Sequence, residues 1–177
     1  DSNTALGASA LAANTTGTVI VAVGTNALAA NTTGSGGTAL GREALKSNTT
    51  GNWNIGVGVN ALITNTTGSS NVAIGQNALQ ANTTASNNTA VGYQAGYSNT
   101  TGVRLTAIGD RALSASTGDG NTALGYKAQE DTSSGAENTA VGSVALANNT
   151  TGANNTVLGS EAAILNTTGS DNVAVGR

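Results

Sequence analysis

At 177 residues the chain is long enough for one ordinary domain, yet it holds only four aromatics (Trp53, Tyr93, Tyr97 and Tyr126) and no Phe, Met, Cys, His or Pro, so a conventional globular core cannot be assembled from it. A net charge of −3, with six basic residues scattered over the whole length, excludes the Lys/Arg stripe of a nucleic-acid or anionic-membrane binder; charged residues at 8% and the lack of proline also separate it from disordered chains. Without His or Cys the common catalytic triads, zinc sites and disulfides are out of reach, and no apolar run approaches the roughly 20 residues of a membrane span.

Taken in chain order, segments of the type Asn-Thr-Ala-x-Gly begin at residues 3, 20, 37, 54, 71, 88, 105, 121, 138, 155 and 172, a spacing of 17 broken once by 16. A fixed period of this length predicts a solenoid. One coil reads N-[TV]-A-[VLI]-G-x-x-A-L-x-x-N-T-T-G-x-x, and its positions are numbered here as slots one to seventeen. The one-residue deletion falls at Ser116-Thr117-Gly118, where a loop absorbs it.

The segment that opens each coil predicts a short strand. Slot two is Thr, Val or Ile (Thr4, Val21 and onward to Val173), and slot four is always aliphatic (Leu6, Val23 and onward to Val175), so the two share a face. Slot three is Ala in nine of eleven copies, which predicts packing on the opposite face as well. Slot five is Gly in all eleven copies and slot fifteen in nine of ten, Ala85 being the exception; both are expected to be corners with φ > 0. Slot eight is Ala in all ten copies and slot nine mostly Leu, which predicts a second strand. Slots six, seven and ten vary and belong to solvent.

The expected architecture is all-β: a parallel β-solenoid or β-roll of about ten 17-residue coils, forming one tandem-repeat domain over residues 1–177. At about 4.8 Å per coil the rod measures roughly 50 Å. The chain opens mid-coil at Asp1-Ser2 and closes mid-coil at Arg177, which predicts a fragment of a longer array or ends that meet other subunits. No signal peptide is visible, so an export signal is expected outside this stretch.

The segments Asn71-Val72-Ala73-Ile74-Gly75 and Asn172-Val173-Ala174-Val175-Gly176 resemble the signature of the YadA-like head repeat of trimeric autotransporter adhesins, and are similar to repeats of phage tail-fibre proteins. The likeness covers the strand segment of all eleven copies; the present repeat is longer, with the additional residues near N-T-T-G. The resemblance implies a β-roll, association of three chains, and a head that binds host matrix or other surfaces.

The most regular polar feature is Asn-Thr-Thr, beginning at Asn14, Asn31, Asn48, Asn65, Asn82, Asn99, Asn149 and Asn166, each an N-glycosylation sequon; Asn87, Asn148 and Asn154 also qualify. Either these residues carry a file of N-linked glycans or their amides form a hydrogen-bonded asparagine ladder. A third reading, an ice- or surface-binding threonine array, requires threonines on one face, whereas adjacent Thr15 and Thr16 are expected to point opposite ways.

Enzymatic features are thin. Asp119 and Glu137 occupy neighbouring slots of successive coils and form a conceivable carboxylate pair, with a solvated surface pair as the plainer interpretation. Gly56-Val57-Gly58-Val59-Asn60-Ala61 matches a dinucleotide pattern by accident of the repeat. Asp110, Asp119, Asp131 and Asp171 sit at differing slots, so no calcium file forms. The expectation is a non-enzymatic extracellular or cell-surface fibre, an adhesin head or shaft, without catalytic, cofactor or metal residues. It is expected to self-associate as a homotrimer or filament, and recognition of a host-surface, matrix or glycan ligand falls to outward residues such as Trp53, Tyr93, Tyr97 and Tyr126.

Overall fold

A computed structural model describes residues 2–177. Eleven strands of three residues each, from Thr4–Leu6 to Val173–Val175, form one all-parallel sheet in sequence order. Identical slots pair: Val72, Ala73 and Ile74 lie beside Thr89, Ala90 and Val91. Across the shortened coil Thr106 pairs with Thr122, so the deletion leaves the strands in register. The chain is therefore a β-solenoid of stacked coils of about 17 residues, with no helix among the described residues.

Each coil contributes one strand, not two. Slots eight and nine do not extend: the Ala10 amide donates to the Gly7 carbonyl at 3.2 Å and the Asn14 amide to the Leu11 carbonyl at 3.3 Å, closing two successive turns. The turns still stack, because the Leu11 amide donates to Ala27 of the next coil at 3.0 Å. Short turns reach their neighbours by a different geometry from a strand, which is why a period-two pattern misreads them.

Three slots per coil adopt left-handed backbone without requiring glycine. In coil four these are Asn60 (φ 60), Leu62 (φ 53) and Ser70 (φ 58). Asparagine visits this region more readily than most residues, but leucine does not favour it. The fully buried Leu62 side chain offsets the cost: left-handed backbone costs about 1–2 kcal/mol, whereas burying a leucine contributes about 1.5–3 kcal/mol.

The interior is narrow and filled by slots three, eight and nine. Ala73, Ala78 and Leu79 are wholly buried, as are their counterparts in neighbouring coils. Slots two and four face away from it. Within the single chain only the alanine face is wholly buried, and slots two and four are half-buried to exposed.

The two glycine corners differ in kind. Slot five is a φ > 0 corner, as in Gly58 at φ +126. Slot fifteen is not in that region; a Cβ at Gly34 would stand 2.5 Å from the Gly51 carbonyl oxygen and 2.6 Å from Asn31 Oδ1, so close approach of successive coils admits one only if its neighbours shift. Ala85 shows the consequence of a methyl at this slot. The nearby Thr83 amide reaches the Thr100 carbonyl at 3.5 Å, against 2.9 Å for the equivalent Thr32–Thr49 bond.

Candidate functional site

The Asn-Thr-Thr asparagines form a ladder from Asn14 to Asn99, while Asn149 and Asn166 bond only to the glycine of their own coil. Asn65 Nδ2 donates to Asn48 Oδ1 at 2.8 Å and to its own coil's Gly68 carbonyl at 3.0 Å, and Asn82 Nδ2 donates to Asn65 Oδ1 at 2.8 Å. Asn31, Asn48, Asn65, Asn82, Asn99 and Asn149 are buried, while Asn14 and Asn166 in the outermost coils are half-buried. At the six buried positions the side-chain nitrogen that a glycan would occupy already donates a hydrogen bond inside the coil. Among the other sequons, Asn87 and Asn154 are exposed and Asn148 is half-buried.

A second file runs at slot one. Asn71 receives its partner's support twice, its backbone amide and its Nδ2 donating to Asn54 Oδ1 at 3.0 and 3.2 Å. A third runs at slot sixteen, where a side-chain oxygen accepts the backbone amide one coil earlier: Asn52 Oδ1 from the Ser35 amide at 2.8 Å and Ser69 Oγ from the Asn52 amide at 3.0 Å. Sequence reasoning missed this role. The available signal was a small polar residue at slot sixteen in most coils, from Thr18 to Ser170.

That role also resolves the carboxylate pair. Asp119 Oδ1 accepts the Val103 amide at 2.9 Å, as other slot-sixteen side chains do, and Glu137 pairs with Arg104 at 3.7 Å across Gly120.

Adjacent threonines do not alternate. Thr15 and Thr16 are both exposed because their segment bends instead of extending, and Thr15 Oγ1 donates to the Thr32 carbonyl of the next coil at 2.9 Å. The slot-fourteen threonine lies at the outermost bend.

Coils seven and eight interrupt this order. Ser116 and Thr132 replace asparagine at slot twelve, and Leu105 replaces it at slot one. At slot nine Gln129 occupies a leucine position, wholly buried, with Nε2, Oε1 and the nearby Thr132 Oγ1 lacking any partner. Gln129→Leu is therefore expected to stabilise the rod by about 1–3 kcal/mol, the desolvation cost of an unpaired amide. A urea titration reads this as a higher midpoint; an unchanged or lower one would contradict the account.

The strand face carries most of the exposed large hydrophobic residues among those described. Slot four leaves Leu40 47% and Leu158 50% exposed, with Ile74, Ile108 and Leu124 alongside, and slot two adds Val21 and Ile55. These residues make two parallel apolar-to-threonine files that run the length of the sheet.

Aromatic residues stand at other corners. The Trp53 indole lies back over Gly36, where a Cβ would collide with the ring, and stays 63% exposed. Tyr93 and Tyr126 occupy slot six of coils six and eight, and Gln80 Nε2 donates to the Tyr97 hydroxyl at 3.4 Å. Lys127 holds its ammonium 5.6 Å from the Tyr126 ring centre while paired with Glu130 at 3.0 Å. The Glu130 hydrogen bond raises the Lys127 pKa and keeps that ammonium charged.

No family model matches the chain, and no match is found among curated proteins or solved structures.

Proposed function

We propose that this chain is a structural segment of an extracellular or cell-surface fibre that associates with copies of itself through the outward face of its strands. The carrying observation is the exposed slot-two and slot-four surface described above. With eleven rungs about 4.8 Å apart and three residues per strand, it covers roughly 50 by 10 Å, or about 500 Å². Exposed patches of a few hundred Å² mark interaction sites. A straight, regular strip of this kind fits another copy of itself, because identical slots recur at identical spacing on both partners.

The resemblance to adhesin head repeats supports three chains around one axis, with the strips facing inward. In that arrangement the fibre bears load through continuous backbone hydrogen bonding, and surface recognition falls to the corners that remain outside.

Sedimentation at micromolar concentration tests the reading. The chain is expected to run larger than its 17.0 kDa monomer. The doubly substituted Ile74→Glu, Ile108→Glu variant is expected to run as a monomer with an unchanged circular-dichroism spectrum, since both side chains lie outside the coil. A wild-type chain that is monomeric under these conditions removes the proposal.

A further inference from the structure

We propose that the outer corner of coils six to eight, built on Tyr93, Asp110, Arg111 and Tyr126, binds a linear β-1,4-linked polysaccharide laid along the rod axis. In an array whose slots repeat, departures stand out, and all three tyrosines fall in these coils. The site does not depend on the self-association reading, because slot six lies beyond the Gly corner that ends each strand.

The spacing carries the argument. The Arg111 amide donates to the Tyr93 carbonyl at 2.8 Å and the Lys127 amide to the Asp110 carbonyl at 2.9 Å, so this corner stacks coil on coil as regularly as the strands. Tyr93 and Tyr126 share a slot two rungs apart, which separates them by about 10 Å. In a β-1,4-linked chain successive sugars turn opposite faces outward, and every second sugar presents the same face. Two platforms separated by two rungs therefore match the repeat of an extended disaccharide.

The chemistry fits the spacing. Tyr93 is 39% and Tyr126 50% exposed, which leaves aromatic surface for the apolar C–H face of a sugar ring, with the Lys127 ammonium over one face of Tyr126. Between them stand Asp110 and Arg111, paired at 3.8 Å with side chains 47% and 41% exposed, which supply acceptors and donors for sugar hydroxyls. Arg111 also reaches Glu130 at 4.0 Å, and Lys127 lies over Tyr126, so the groups are braced before a ligand arrives.

The test is retention of the soluble 177-residue chain on microcrystalline cellulose and on chitin, with release by cellohexaose or chitohexaose. Retention on at least one support, reversed by its own hexaose, is expected. Tyr93→Ala and Tyr126→Ala are each expected to weaken it by about tenfold or more, with Tyr93→Phe and Trp53→Ala close to wild type and all circular-dichroism spectra alike. Failure of the wild type to be retained on either support, or retention of both alanine variants at the wild-type level, overturns the proposal.

Discussion

Gly58→Ala is expected to break the rod near its middle, with a loss of about 4 kcal/mol or more from strain and steric conflict combined. The backbone there is at φ +126, a region essentially confined to glycine, and an added Cβ would stand 2.7 Å from both the carbonyl carbon and oxygen of Gly75 and 3.1 Å from the Gln76 nitrogen. Those atoms are backbone, held by the 2.8 Å bond from the Gly75 amide to the Val57 carbonyl, so no side chain can swing aside. Slot fifteen tolerates Ala85 by stretching one bond; slot five has no such exception in eleven copies. In a stacked array damage stays near its origin. Hydrogen exchange should accordingly speed up in coils four and five while coils nine and ten keep their protection. Wild-type exchange throughout would show that this corner has more room than the geometry allows.

The second large effect is expected from Asn65→Ala, at about 3–5 kcal/mol. The side chain is wholly buried, gives two hydrogen bonds and receives one, and its loss leaves a cavity along with partners stripped of part of their bonding. Thr67→Ala, two residues on, is the matched control: its side chain is exposed at the outermost bend, and its removal should change stability by less than about 0.5 kcal/mol. For a chain of this length the ladder variant's loss corresponds to a melting-temperature drop of about 10 °C. If both variants melt alike, the asparagine file contributes little and the interior aliphatic stack alone holds the coils together.

Much of the fold was readable because the repeat compares the chain with itself. Eleven aligned glycines at slot five and ten alanines at slot eight fix the period, the register and the narrow interior. The direction of the strand was not readable in the same way. Val72 and Ile74 look like core residues, and only the closed coil reveals that Ala73 points inward while they point out. Composition cannot separate a core face from an interface face, since both call for branched aliphatics. The left-handed leucines were equally hidden, because burial, not local preference, keeps Leu62 at φ 53.

The asparagine file presents a different difficulty. Asn65-Thr66-Thr67 is at once a glycosylation sequon and a ladder rung, and the same letters serve both. The burial of Asn65 belongs to the coil, not to the tripeptide. Coils seven and eight, by contrast, were marked in the sequence by the deletion at 116–118 and by Gln129 in a leucine slot. What could not be foreseen was that Gln129 would lie inside with its amide unpaired.

Slot-for-slot pairing bears on how such a chain can change length. Because every coil meets its neighbours through the same positions, duplicating one 17-residue unit inserts another layer and leaves every type of contact as it was. Gains and losses that are not whole units must fall where a residue is dispensable, and the shortened coil shows where that is: the slot-fourteen threonine, whose amide only shares a carbonyl with its predecessor, as Thr15 and Thr16 share Thr32. Reach is thus set by copy number, in steps of about 4.8 Å, and can be adjusted without redesigning any layer.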